Sequence, residues 1–181
     1  MPRLNALNPA DAAGRNAELF NAVKGKLGMV PNMMRTMANS PAVLEAYLQM
    51  SGILGQTLNA REREQVALAV AEVNGCDYCA SAHSTIGKMV GLTPEQILAA
   101  REGTAGDARQ RAIVEFAAAV AERRGQVSDA EVEAARAAGL TDADIAETVA
   151  NVALNVFTNF FNNVAQTTVD FPKAAPLVKA G

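Results

Sequence analysis

The chain holds two cysteines and a single histidine, and all three fall within Cys76-Asp-Tyr-Cys79-Ala-Ser-Ala-His83. Cysteine and histidine are the side chains most readily tuned to react near neutral pH. Residues three and four apart share a helix face, so Cys76, Cys79 and His83 form one stripe if this stretch is helical. A Cys-x-x-Cys pair at a helix start can close a disulfide, and the free N–H groups and positive dipole end there favour a thiolate. A thiol of pKa about 8.5 is only roughly 3% ionised at pH 7, whereas one of pKa about 6 is roughly 90% ionised. His83 is placed to take the Cys79 proton, directly or through water, and a carboxylate behind it would hold its tautomer. Glu64, Glu72 and Asp77 are the acidic candidates, and spacing does not choose among them.

Three other readings of the same residues compete with a redox-active dithiol. A structural zinc site usually takes four Cys or His ligands, and this chain has three in total. Two inert cysteines beside a satisfied core histidine would make the shared helix face and the adjacent helix start a coincidence. A thioredoxin-like site needs a βαβ setting, and no strand pattern flanks the pair. The dithiol is the preferred reading.

The elements that must position these residues read as helices throughout. Ala10 to Lys26 has helical spacing, with Gly25, Gly28 and Pro31 marking its end. Met29 to Met37 is a methionine-rich connector with room for a short helix, its methionines read as gap-filling core rather than as a substrate-facing wall. Ser40-Pro41 predicts a helix start, with serine as the cap, and that helix runs to about Leu54. Asn59 with Glu62 predicts a capping box opening a helix that breaks at Asn74-Gly75. Another runs from about Cys76 to Val90, and Thr93-Pro94 opens a short one to Arg101. Glu102 to Asp107 is the best candidate for an internal boundary, followed by helices at roughly 107–123, 128–138 and 141–165. The tail from Asp170 to Pro176 is expected to be extended, either docked or frayed. The expected fold is all-α, one domain over residues 1–181 with about eight helices. A faint echo pairs Leu58-Asn59 with Leu140-Thr141, which hints at two degenerate halves with one reactive site per chain.

Composition agrees with this. Half of the 181 residues are hydrophobic but only 4% are aromatic, which favours closely packed helices built on Ala, Val, Leu, Ile and Met. A net charge of −3 and a pI near 5.2 give no basic face for nucleic acid. No segment offers the ~18 uninterrupted apolar residues of a membrane span, and the N-terminus lacks a signal-peptide core. The expected location is the cytoplasm, where thiols stay reduced.

The spacing Glu64-x11-Cys76-x2-Cys79-x3-His83 resembles the signature of the alkylhydroperoxidase D-like branch of the carboxymuconolactone decarboxylase superfamily. The likeness extends to Leu27-Gly-Met-Val-Pro-Asn32, to Asn39-Ser-Pro-Ala-Val-Leu44 and to Phe161-Asn-Asn-Val-Ala-Gln-Thr-Thr-Val-Asp-Phe-Pro172, which are similar to its peroxidase-related members. The resemblance implies an all-helical trimer or hexamer with the site near a subunit interface. It implies Cys79 as the peroxide-attacking thiolate, Cys76 as the resolving thiol, and His83 with Glu64 as a proton relay. The best-known alkylhydroperoxidases carry a second histidine just before the second cysteine, where this chain has Tyr78. Tyrosine titrates near 10 and is a poor base at neutral pH, so any relay here has one imidazole. The true decarboxylases of the superfamily lack the cysteine pair.

The expected function is therefore a thiol-dependent peroxidase that needs no cofactor or metal. Its implied partners are a hydroperoxide and an external dithiol, with a lipoyl-bearing protein as the family precedent. Two alternatives stand beside it: a non-enzymatic oligomer that senses redox state or holds a metal, and a dithiol oxidoreductase acting on protein disulfides. Val152, Val156, Phe160 and Val164 are expected in the core or a subunit interface. Asn151, Asn155, Asn159, Asn162 and Asn163 are expected to hydrogen-bond across such an interface.

Overall fold

The computed structural model describes residues 1–177. The last four positions of the expected 1–181 domain lie outside the described residues. After a short 3-10 turn at Pro9–Asp11 come nine α-helices: α1 Gly14–Leu27, α2 Asn32–Met37, α3 Pro41–Leu54, α4 Ala60–Val73, α5 Asp77–Met89, α6 Pro94–Arg101, α7 Ala108–Glu122, α8 Asp129–Ala137 and α9 Asp142–Ala165. There is no strand among the described residues. The ninth helix, beyond the eight expected, is α2, which the methionine-rich connector folds into.

Helix α4 is the centre of the arrangement, packed against α5, α6, α7 and α9. Val66, Ala67, Leu68, Ala69, Val70 and Ala71 are all buried in succession, and a helix apolar on every side can lie only inside a core. Its start is the expected capping box: the Asn59 side chain accepts from the Glu62 N–H at 3.0 Å, and the Glu62 carboxylate accepts from the Asn59 N–H at 3.0 Å.

Apolar packing divides around α4. On one side Leu19, Phe20, Met33, Met34, Met37 and Leu44 surround Cys76, Tyr78 and Cys79. On the other, Leu58, Val66, Val70, Ile113, Phe116, Leu140 and Val152 form a second cluster. Burial of Met33, Met34 and Met37 makes those methionines core, as expected of a side chain that fills irregular gaps.

Several local expectations need correction. Gly25 lies within α1, and Gly28 alone ends it, at φ +75° with its N–H on the Lys24 carbonyl. Ser40 occupies the cap position of α3, but its side chain makes no capping bond. The Glu102–Asp107 segment joins α6 to α7, and both helices pack on α4, so it separates no two cores. The tail is extended and docked: the Asp170 carboxylate accepts from the Asn32 N–H at 2.8 Å, and the Ala174 N–H donates to Ser81 Oγ at 3.1 Å. None of the helices is long and apolar enough to cross a membrane.

Candidate active site

The thiol pair is built by the way α4 stops. After the Asn74 cap, Gly75 takes φ +59°, the left-handed conformation that costs glycine nothing. The Gly75 N–H then donates to the Glu72 carbonyl at 3.2 Å, and the Cys76 N–H to the Ala71 carbonyl at 2.9 Å. This is the Schellman closure of a helix C-terminus. The residue that completes it, Cys76, is also the N-cap of α5, with its Sγ accepting from the Cys79 N–H at 3.3 Å. Cys79 therefore stands in the first turn of α5, where the dipole favours negative charge. Both cysteines are free and buried.

His83 lies one turn further along α5, and its Nδ1 is 2.7 Å from Glu64 Oε2 on α4. Among the three acidic candidates the geometry thus brings Glu64 to the histidine. Glu72 is paired instead with Arg101 at 2.5 Å, and Asp77 sits in the first turn of α5 without a bond to His83. With Nδ1 occupied, Nε2 is the nitrogen left for proton exchange. Among the described residues, no three His, Cys, Asp or Glu side chains are arranged to hold a metal ion.

Electrostatics divides the two thiols. The hydrogen bond from Cys76 lowers Cys79 most; burial opposes it, and His83 with the amides of Asn162 and Asn159 adds to the lowering, to about 6. Cys76 is raised by that same bond and by burial, so it stays a thiol. Burial pulls His83 down, but the Glu64 carboxylate more than offsets it and the net shift is upward. These shifts favour a Cys79 thiolate beside a Cys76 thiol, with the His83 ring drawn toward its charged form by Glu64.

A cavity of about 550 Å³ opens on this centre. Cys79, His83 and Glu64 line it and Cys76 does not, so the two thiols differ in access as well as in charge. Its other walls are mostly apolar, with Met29, Met33, Met34, Tyr47, Ile86 and Phe171 among them. Met33 and Met34 are thus both core and wall, which merges the two readings of the methionine-rich connector.

Tyr78, at the position of the family's second histidine, has a structural task. Its hydroxyl accepts from the Met33 N–H at the start of α2 at 3.1 Å, and its ring meets Phe171 edge-on at 5.8 Å. Burial pushes its pKa well above the ordinary value. Tyr78 therefore anchors α2 and the tail, and gives the centre no second base.

Of the five α9 asparagines expected to bond across a subunit interface, four are buried in this chain instead, and Asn163 is half-buried with its Nδ2 on the Asn74 carbonyl. Asn151, Asn155, Asn159 and Asn162 lie inside, and Asn162 Nδ2 is 3.3 Å from Cys79 Sγ. Composition alone hides this role, because asparagine is usually exposed. The usable signal is spacing: Asn155, Asn159 and Asn162 recur at helical intervals, as the cysteines and histidine do. The apolar set on α9 divides. Val152 and Val156 belong to the core, while Phe160 and Val164 are 55% and 64% exposed.

Comparison with known proteins is consistent with this arrangement. Residues 41–107 match the model of the carboxymuconolactone decarboxylase family. No curated protein matches the chain. An uncharacterized peroxidase-related protein from Ralstonia eutropha JMP134, described as an alkylhydroperoxidase AhpD core, superposes with a TM-score of 0.83 at 27% identity, over 93% of this chain and 92% of that one. A peroxidase-related protein from Silicibacter sp. TM1040 gives a TM-score of 0.78 at 26% identity, over 93% and 94%. The debrominase Bmp8, solved with 2,3,4-tribromopyrrole, gives 0.79 at 19% identity over 94% and 92%, a likeness of fold alone. Over residues 41–107 the chain thus resembles the carboxymuconolactone decarboxylase family, and along most of its length it shares the fold of alkylhydroperoxidase D-like proteins.

Proposed function

Starting from that likeness, we propose that this protein is a thiol-dependent peroxidase that reduces hydroperoxides through a Cys76–Cys79 dithiol–disulfide cycle. The observation that carries this reading is the unequal access of the two thiols. The lowered one, Cys79, lines the cavity with His83 and Glu64, and the raised one, Cys76, sits behind it. The Cys79 thiolate attacks the distal oxygen of the hydroperoxide; an S–O bond forms and the O–O bond breaks. The leaving alkoxide takes a proton from the His83 imidazolium and departs as an alcohol. The Cys76 thiol then displaces the oxygen of the sulfenic acid as water, closing the disulfide. Glu64 holds the His83 ring and favours its charged form, so the proton is present when the leaving group needs it.

An external dithiol of the lipoyl type returns the disulfide to two thiols, and the reducing conditions of the cytoplasm suit that cycle. Assembly as a homotrimer or homohexamer is supported by exposed apolar residues along α9, namely Val149, Phe157, Phe160 and Val164. Exposed aromatics at helical spacing are costly to leave in water.

The test is a single turnover of reduced protein with one equivalent of cumene hydroperoxide, following thiol loss and the mass of the Cys76–Cys79 peptide. Rapid loss to an intramolecular disulfide is expected, absent in Cys79→Ser and slowed in His83→Ala. Oxidation no faster than that of a free thiol, and indifferent to His83→Ala, would overturn the reading and leave redox sensing or exchange with protein disulfides.

A further inference from the structure

Buried side-chain amides in native cores are nearly always hydrogen-bonded. Asn151 obeys the rule, donating to the Glu147 carbonyl at 2.8 Å and to Thr57 Oγ1 at 3.1 Å, and Asn155 donates to the Asn151 carbonyl at 2.8 Å. Asn162 spends its N–H on sulfur, with Nδ2 3.3 Å from Cys79 Sγ, and its Oδ1 has no protein partner. Asn159 is completely buried; its Oδ1 accepts from Asn74 Nδ2 at 3.0 Å, which fixes which way the amide points, and its Nδ2 has no protein partner. A neutral thiol is a weak acceptor and a thiolate a strong one, so the buried Asn162 N–H is well satisfied by the Cys79 sulfur only when that sulfur is negative.

The donor is held from the same turn that makes the thiol centre. Asn74, the cap of α4, donates its side-chain N–H to Asn159, and its carbonyl accepts from Asn163 Nδ2 at 2.9 Å. The register of α9 against the α4–α5 turn is thereby set, and with it the approach of the Asn162 amide to Cys79.

We infer that the Asn162 amide is an anion hole that holds the Cys79 sulfur as a thiolate, with Asn159 as a positioning residue that fixes α9 against the Asn74 turn. The inference rests on Cys79 being the reacting thiol, as proposed above, and not on the identity of its oxidant. Asn162 touches the reacting atom from outside the helix that carries the thiols, so α9 belongs to the reactive centre. The negative charge it favours is also stabilised by the Cys76 thiol and by His83.

The experiment is a pH titration of the reduced protein by thiolate absorbance, with iodoacetamide alkylation rates measured in parallel and helical circular dichroism as the check on folding. Asn162→Leu is expected to move the Cys79 half-point up by about one pH unit, slowing alkylation at pH 6 roughly fivefold while rates at pH 9 converge with the wild type. Asn159→Leu is expected to move it in the same direction and less far. Asn162→Asp keeps the shape and sets a carboxylate against the sulfur, so it is expected to move the half-point furthest, and it carries the test should Asn162→Leu fail to fold. Unmoved half-points in folded variants overturn the inference. Alkylation needs no hydroperoxide, so protein inert to cumene hydroperoxide but showing these shifts would sink the peroxidase reading alone. Active protein with unmoved half-points would sink the anion hole alone.

Discussion

Helices α4 and α9 begin alike and end differently. Each opens on a buried leucine and a capping box: Leu58 with Asn59 and Glu62, Leu140 with Thr141 and Asp144. One side chain, Arg109, binds the capping carboxylates of both, Glu62 at 3.0 Å and Asp144 beside it. Fourteen residues on, α4 breaks at Asn74-Gly75, whereas α9 carries Val156-Phe157 at the corresponding place and runs on for 24 residues in all. The break makes a helix start for two thiols; the unbroken run brings the Asn162 amide to one of them. One glycine in the left-handed conformation separates a reactive half from a supporting half.

The largest expected effect comes from the relay that α4 supplies and α9 does not. Glu64→Gln should slow single-turnover oxidation of the thiols by about 10²-fold, the usual scale of positioned acid–base catalysis. It should also lower the His83 pKa, because the carboxylate that offsets burial is gone. Stopped-flow kinetics across pH checks both, and an unchanged profile would mean that the two halves differ in thiols alone.

A second expectation concerns stability and pH. Cys79 is lowered in the folded state, so between pH 6 and the ordinary thiol range the unfolded chain binds more protons than the folded one. Stability from this thiolate is therefore fully present above the unfolded pKa and lost as pH falls through about 6. Reduced wild type should gain stability relative to Cys79→Ser as pH rises across that window, seen as diverging urea midpoints.

Gly75→Ala pushes the broken helix towards its unbroken counterpart. An added Cβ meets nothing within 4 Å, so the cost is the left-handed backbone itself, about 1–2 kcal/mol in thermal or urea unfolding. Smallest is Arg109→Ala, about 1 kcal/mol, because the guanidinium is half-exposed and screened. It touches what the two helices share, so it should lower melting while leaving Cys79 alkylation unchanged.

The helices were legible because their punctuation is chemical. Asn59 with Glu62 and Thr93 with Pro94 announce their own caps, and Gly75 marks a break that no side chain could adopt so cheaply. The thiol–histidine stripe was legible for the same reason, since spacing along one helix is a local property. Glu64 could not be chosen from spacing, because its distance to His83 is set by how α4 and α5 cross. The asparagines were misread on the same ground: which side of α9 faces Cys79 depends on packing between residues some eighty positions apart. Tyr78 was legible as a lost base but not as an anchor for Met33 and Phe171.

The wall formed by Asp170, Phe171 and Pro172 belongs to no helix. It is fastened by the Asp170 contact to Asn32, the Ala174 contact to Ser81 and the edge of one ring. Two kinds of chain thus meet at the cavity: helices carry Cys79, His83, Glu64 and most of the wall, and an irregular strap completes one side of it. Lineages can revise such a strap by insertion, deletion or exchange of a few residues without disturbing a proton's path. A change of cavity shape and a change at the thiol centre are thereby separable.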